Sequence, residues 1–379
     1  MMPDGFAGQW IGRSNGDAIA RVVIDLDDGE QNVRGSARVF FSDGSPGTIC
    51  EIELPRVAAS FTLSDVPLAW MPAGEARVMS TEQIRAALPN GEFPDRAKIE
   101  FRRDGNNLDV SWSTDVGTSG EATLERTLGS SASKLDVRDI DWDGFKRFAL
   151  TQTPGSFIFR GQPEPVKLRT AFHRTHRKDL IRYVSEDIPL AHQQLTARTR
   201  HIFNLHNSQE TGAFYNLLQH HGYPTPLLDW SHSPFVAAFF AYRRRKASDS
   251  GSDKVRILAF DKVAWKRAFR QLEAINFAEP HFSILEALAI ENPRAIPQQA
   301  ISTLTNVDDI EEYVCSKEKE GETKYLHAID LPASIRPHVM AELSLMGITA
   351  GSLFPGLDGA CEELTGRMFH HQVPPILSK

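Results

Sequence analysis

The chain has 379 residues, 41% of them hydrophobic and 24% charged, with a formal net charge of −7. That length is the scale of two domains, and the acidic balance excludes a general nucleic-acid coat while leaving room for a local basic groove. No apolar run is long enough to span a bilayer, and the opening residues lack a basic segment followed by an apolar run, so neither a membrane span nor a signal peptide is expected.

From about Gly8 to Arg126 the chain reads as strands. Ile19–Leu26, Val33–Phe41 and Thr48–Leu54 follow one another across polar turns. Ala97–Arg103 and Leu108–Trp112 flank Asp104-Gly105-Asn106-Asn107, a hairpin signal, and Gly120–Arg126 closes the series. Ser80–Leu88 is the one helical stretch, with Ser80 and Gln83 spaced as a capping box. Short strands at regular spacing predict an antiparallel meander, barrel or sandwich, over residues 1–128. Gly8-Gln9-Trp10-Ile11-Gly12 faintly resembles the first strand of small ligand-binding barrels. A recognition or packing role without catalysis is expected for this part.

A polar linker is expected over 129–140 and a second domain over 141–379. There Asp141–Leu150 reads as a helix. Ser156–Phe159 is an apolar strand ending in Arg160-Gly161-Gln162. Lys167–Arg182 carries six basic residues and one acid. Arg177–Arg200 is helical, kinked or split at Pro189. Ser208–His221 is a helix leading into His220-His221-Gly222-Tyr223-Pro224 and then Leu227-Leu228-Asp229-Trp230-Ser231-His232-Ser233-Pro234. Ser233 is placed as an N-cap with Pro234 at the first helical position. Phe235, Ala238, Phe239 and Tyr242 make a helical stripe, closed by Arg243-Arg244-Arg245-Lys246. Val255–Phe260, Arg294–Thr305 and Tyr325–Leu331 read as strands, and Ile284–Ile290 is ambiguous. Asp308–Glu322 reads as an acidic, mostly exposed helix or loop. Ile335–Met346 and Ala360–His371 read as helices. Helices mixed irregularly with few strands predict an α+β fold.

The chemistry concentrates in this second part, since all 13 histidines lie at or after His173. Arg160 offers forked donors suited to a phosphate or carboxylate, and Gly161 permits close approach of a ligand or of backbone. A surface ion pair explains Arg160 equally simply. Asp229, between Leu228 and Trp230, is expected to be partly buried and to need a partner such as Arg160 or His220. An ordinary helix cap is the alternative for Asp229, Ser231 and Ser233. His220 and His221 carry no H-E-x-x-H or cysteine pairing, and Cys50, Cys315 and Cys361 are widely spaced, so no metal is expected. This cysteine use fits a cytoplasmic protein. No G-x-S-x-G elbow supports a serine hydrolase, and His370-His371 fits a helix end. The Lys167–Arg182 run and Arg243–Lys246 could line a nucleic-acid groove or form solvated faces.

Phe159-Arg160-Gly161-Gln162, followed by the stretch from Leu218 to Pro234, resembles the FRG domain family, named for its Phe-Arg-Gly motif. Gln298-Gln299 after Arg294, and Leu353-Phe354-Pro355 before Asp358-Gly359, resemble its later motifs. The resemblance runs from about Asp141 to His371. Pro226, Ala300 and Ser302 depart from the family pattern. By motif order the family is similar to ADP-ribosyltransferases. The resemblance therefore implies an ADP-ribosyltransferase-like domain that binds a dinucleotide such as NAD and carries out ADP-ribosyl transfer or NAD cleavage, as a toxin or defence effector acting on a protein or nucleic acid. It implies Arg160 and Gln162 at the pyrophosphate, Ser231 and Ser233 at the nicotinamide ribose, and His220 and Asp229 as orienting or polarising groups. The late glutamate of those transferases is replaced by Gln298 or Gln299, with Gln299 the candidate and Glu362 or Glu363 as remote substitutes. The alternative is a non-catalytic module for nucleic acid or a protein partner.

Overall fold

The computed structural model describes residues 5–15, 19–73, 77–129, 132–244 and 253–369. Arg245, Lys246, His370, His371 and part of the expected linker lie outside them.

Strands β1 (Gly8–Asn15), β2 (Ala20–Asp27), β3 (Asn32–Phe41), β4 (Gly47–Pro55), β5 (Ser60–Pro67), β6 (Ala69–Met71), β7 (Arg96–Asp104), β8 (Asn107–Thr114) and β9 (Ser119–Arg126) form one antiparallel sheet. Its order is β5-β7-β8-β9-β1-β2-β3-β4-β6. The segment 60–71 belongs to both edges: β5 pairs with β7, and after Pro67 the chain turns so that β6 pairs with β4. The sheet is thus a nearly closed barrel, not a sandwich. Alternation decides which side chains point inward. Trp10, Val22, Ile24, Leu26, Leu108 and Leu124 enter the barrel core, while Gln9, Asp25 and Asp27 face outward. Helix α1 (Thr81–Ala87) begins with the expected capping box at Ser80 and Gln83.

The second sheet joins β10 (Val137–Asp139), β11 (Phe157–Gln162), β12 (Leu227–Ser231), β13 (Lys254–Asp261), β14 (Phe282–Leu285), β15 (Ala300–Thr305) and β16 (Leu326–Pro332). The order is β10-β16-β13-β11-β12-β15-β14, antiparallel except for β10 against β16. Helices α2 (Trp142–Thr151), α3 (Leu180–Arg182), α4 (Ile188–Thr196), α5 (Ser208–His220), α6 (Pro234–Arg243), α7 (Lys262–Ala268), α8 (Ile310–Gly321), α9 (Arg336–Leu345), α10 (Ala350–Leu353) and α11 (Leu357–Phe369) surround it. The fold class is α+β. Pro189 sits in the first turn of α4, and a π-helical turn over Tyr183–Asp187 joins α3 to it.

α6 is buried nearly all round. Ala238, Phe239 and Tyr242 of its stripe, together with Val236, Ala237 and Ala241, pack with Phe159, Ile257 and the residues of α9 and α10. Each large apolar side chain buried this way is worth roughly 1.5–3 kcal/mol. The opposite sheet face builds a second core from Ile158, Leu228, Trp230, Leu258, Phe260 and Trp265.

Two expectations need correction. The strand over 294–305 begins only at Ala300, because Arg294–Gln299 form successive turns. The acidic segment 308–322 is a helix with buried acids. Glu311 accepts Leu168 N at 2.8 Å, and Glu318 accepts Tyr325 N and Leu326 N at 2.7 Å. These carboxylates satisfy main-chain donors that a sequence pattern does not reveal.

The basic run 167–182 is spent on the contact with the barrel and with α8. Lys167 pairs with Asp309 at 2.5 Å, Arg169 with Asp308 at 2.7 Å and Arg177 with Asp27 at 2.6 Å. Asp27 also accepts Lys178 N and Asp179 N at 2.5 and 2.9 Å. Gln9 bridges both sides, donating to Asn306 O at 2.7 Å and accepting Asp308 N at 2.9 Å. Arg38 holds Asp25, both 2% exposed. These contacts make an internal ionic seam in place of the expected groove or solvated face.

His281 lies against this seam, with Nδ1 2.9 Å from Ser283 Oγ and Nε2 2.9 Å from Ala274 O. Burial pushes its imidazole down to about 4. The unfolded chain takes up this proton near pH 6.5, the folded chain only near 4. Its contribution is therefore complete above pH 6.5 and is lost as pH falls through that window, by about 2–3 kcal/mol at pH 4.5. Urea unfolding of wild type and His281→Asn at pH 7 and 4.5 should show the stability difference shifting by that amount in favour of the variant at low pH. An unchanged difference would mean that His281 titrates normally.

Candidate functional site

β11 reads Phe157-Ile158-Phe159-Arg160-Gly161-Gln162, and its two faces do different work. Phe157, Phe159 and Gly161 face α6, while Ile158, Arg160 and Gln162 face the other way. A Cβ on Gly161 would lie 1.9 Å from Ala237 O and 2.7 Å from Ala241 N. The close approach that glycine permits is therefore made by the backbone of α6.

The turn into α6 is fixed by hydroxyls. Ser231 Oγ donates to Gln298 O at 2.8 Å and accepts Ser233 N at 3.0 Å, and Ser233 caps the helix through Val236 N at 3.3 Å. His232 N donates to Gln299 O at 2.9 Å. Gln299 itself is exposed, with φ at 48°, in the left-handed region that a side chain occupies only at a cost. Gln298 Nε2 reaches Leu353 O at 3.0 Å, which brings the segment containing Phe354 to the same place.

β11 and β12 share one register pair, Phe159 with Ser231. Beyond it Arg160 bridges the strands through Nη1, which donates to the main-chain oxygen of Asp229 at 2.6 Å. Its Nε is buried without a partner. Burial depresses the guanidinium, the Asp229 carboxylate opposes this, and Arg174 adds to it. Asp229 is exposed, against expectation. Its neighbours Leu228 and Trp230 point to the opposite face of the strand, into the second core. Its Oδ1 accepts Gln219 Nε2 at 2.5 Å, and Gln219 Oε1 in turn accepts Thr225 Oγ1. Asp229 thus has a neutral partner at its carboxylate and a cation near it.

His220 ends α5, half-buried, with Nε2 buried and unpaired. Burial lowers its pKa, Arg294 and His221 lower it further, and Asp229 works against them. The ring is therefore neutral at neutral pH. Arg294 lies with its guanidinium 5.3 Å from the Phe354 ring centre. Gln162 is buried, and its Oε1 also lacks a partner.

Asp229 therefore has both Arg160 and His220 near it where β11 and β12 part, with the Arg160 guanidinium reaching its main-chain oxygen between the strands, Gln219 at its carboxylate and Arg294 near His220. Sequence reasoning gave Gln219, Arg174 and Arg294 no site role of their own, although Gln219 and Arg294 stand within the motif stretches and Arg174 within the basic run. The serines hold the turn with their hydroxyls. The remote glutamates are committed elsewhere: Glu362 forks onto Arg243, with Nε to Oε1 at 2.6 Å, and Glu363 accepts Thr349 Oγ1 at 2.6 Å and Gly351 N at 3.0 Å. Among the described residues no group of three or more His, Cys, Asp or Glu side chains is placed to hold a metal ion.

The family model of the FRG domain matches residues 155–250. The chain contains an FRG domain. The match covers Arg160, His220, Asp229 and the whole of α6, while Gln298-Gln299 and Leu353-Phe354 of the FRG resemblance lie beyond it. No curated protein matches the chain. A solved structure described as a redesigned β-barrel, mFAP1, bound to DFHBI is similar at a TM-score of 0.22 and 12% identity, over 32% of this chain and 94% of that chain.

The FRG glycine generates a direct test. Gly161→Ala forces backbone against backbone, where no side chain can turn aside. Overpacking in well-packed sites costs about 1–3 kcal/mol, and this contact should lie at or above the top of that range. Thermal melting should show a large fall, while Gly155→Ala, at a turn with φ 79° and nothing within 4 Å, loses only the left-handed penalty of about 1–2 kcal/mol. Equal losses would mean that α6 does not lean on β11 through Gly161.

Proposed function

We propose that the FRG domain binds a dinucleotide such as NAD at the Arg160–His220–Asp229 cluster, where it would support ADP-ribosyl transfer or NAD cleavage. The observation that carries this reading is the pair of buried polar atoms without partners, Arg160 Nε and His220 Nε2, on residues that both lie near Asp229 where the central strands β11 and β12 part. Buried polar atoms are nearly always paired, so two unpaired ones beside an exposed carboxylate suit a ligand rich in acceptors. Arg160 is assigned to the pyrophosphate, with Arg294 adding positive potential and Gln162 as a further contact. Asp229 is assigned to stabilising positive charge that would develop on a ribose carbon as the bond to nicotinamide breaks. His220, being neutral, would orient the ligand by hydrogen bonding. Ser231, Ser233 and Gln299 are assigned to shaping the turn beneath it.

The nucleic-acid alternative has less to rest on, since Lys167, Arg169, Arg177, Lys178 and Arg182 of the basic run are paired with acids of the molecule and, among the described residues, only Arg174 of the six is not.

Calorimetric titration of NAD into wild type, Arg160→Lys and Asp229→Asn tests the reading, with mass spectrometry for free nicotinamide. Lysine cannot reproduce the forked contact, so Arg160→Lys should lose one to two charge-assisted hydrogen bonds of roughly 1.5–3 kcal/mol each. That is at least about tenfold in affinity. Asp229→Asn should keep stability within about 1 kcal/mol, as expected for an exposed carboxylate, and lose nicotinamide release while retaining binding. Wild type that binds no NAD sinks the proposal. Equal binding by Arg160→Lys removes Arg160 from the site.

A further inference from the structure

The barrel holds a second site, independent of the FRG cluster. One end of its interior is packed solid. Phe6, Trp10, Leu26, Leu54, Leu108 and Leu124 are each 0% exposed there, and the Arg126 guanidinium lies 4.5 Å from the centre of the Trp10 ring. The other end is hollow, enclosing a cavity of about 930 Å³. Protein interiors are close-packed, with few voids larger than a water molecule. A volume near the top of the roughly 300–1,000 Å³ range of small-molecule pockets is a binding site in size.

The hollow follows from the sequence. The inward positions on this side include Ala37, Ala97 and Gly120, where the other end carries leucine and tryptophan. The walls are Val22, Ile24, Val39, Ile99, Phe101 and Val110. Trp70, Phe93 and Trp112 stand around the opening. Gly120 pairs with Trp112, and its missing Cβ leaves room for the indole, whose Cζ2 lies 2.4 Å from where that carbon would be. Trp70 is held from outside, by Phe93 with ring centres 4.8 Å apart and by Thr81 Oγ1, which accepts its Nε1 at 3.3 Å. The mouth is therefore built from fixed aromatic rings.

Charge selects the occupant. Among the described lining residues there is no lysine, arginine or histidine, and the acids Asp43 and Glu92 stand among them. A carboxylate or phosphate group would find no counter-charge and would meet like charge. We infer that the barrel binds an uncharged, lipophilic small molecule, ring-bearing to suit the aromatic mouth, with any polar group directed to the hydroxyls and amides of the opening. Apolar hollows of this kind take up apolar ligands readily because no well-held water has to be displaced.

The full chain is titrated with Nile red, an uncharged dye whose emission moves to the blue in apolar surroundings, and separately with the anion 8-anilinonaphthalene-1-sulfonate. Nile red should bind one to one, with blue-shifted emission and quenching of tryptophan fluorescence. The anionic dye should bind at least tenfold more weakly. Ala37→Phe and Ala97→Leu place carbon in the hollow, so each should weaken Nile red at least tenfold with the melting temperature kept. If either fails to fold, the other decides. Arg160→Lys should leave Nile red binding unchanged, separating this site from the FRG cluster. Absence of blue-shifted binding overturns the inference. Undiminished binding by a folded cavity-filling variant overturns it too, and so does equal binding of the anionic dye.

Discussion

The contact between Gly161 and the backbone of α6 is the constraint on which the second domain depends. A strand and a helix approach until the glycine Cα meets Ala237 O and Ala241 N, with no side chain between them. α6 can come this close because its own buried face is rich in alanine, with Ala237, Ala238 and Ala241 at 0–1% exposure. Two consequences follow from strand alternation. Arg160, one residue earlier, must point to the opposite face, and it emerges where β12 leaves the pairing. The start of α6 is pinned to the end of β12, so Ser231 and Ser233 have to turn the chain within three residues. The Phe-Arg-Gly sequence is thus a packing residue, a ligand-facing candidate and a contact point in succession.

The other organising feature is the ionic seam. Asp25, Asp27, Arg38, Lys178 and Asp308 are all largely removed from solvent. Burial pushes Asp25 up to about 6 although Arg38 pulls it down. Desolvating ions costs nearly as much as their attraction returns, so such a seam contributes more to specificity than to net stability, and it punishes the loss of any one partner. Gln9 shows how specific it is: a single amide contacts Asp25, Asn306 O and Asp308 N. The barrel is held in one orientation by geometry that few alternative dockings could satisfy.

Elements with a local cause were legible in the sequence. The Ser80–Gln83 capping box, the hairpin around Gly105 with φ 58°, and the Ser233 cap with Pro234 behind it all form as the residues dictate. Elements whose cause lies elsewhere in the fold were not. β5 carries exposed side chains and a register shift between Leu63 and Val66, with Asp65 at φ 62°, so its alternation is broken. Asp229 looked buried because both neighbours are apolar. Period-two alternation places it on the other face, and only knowledge that this segment is a strand settles that. The basic run resembled a binding groove because its partners, Asp27, Asp308 and Asp309, are remote in sequence.

The chemistry of the FRG cluster turns on where its carboxylates are. Glu362 is bonded to Arg243, whose guanidinium lies 3.8 Å from the Phe354 ring centre, and Glu363 satisfies donors at the start of α10. Moving either would leave a cation or a helix start unpaired, so both are anchors of α11. Gln299 carries an amide, which cannot supply negative charge. Its main chain is nevertheless retained in a left-handed conformation, with its oxygen bonded to His232 N. On the reading proposed above, stabilisation of a cationic sugar would fall to Asp229. Its oxygen accepts a hydrogen bond from the neutral Gln219, so the carboxylate charge is not cancelled by a direct ion pair. An anion left uncancelled where β11 and β12 part retains its field, whereas the glutamates of α11 have already spent theirs on the fold.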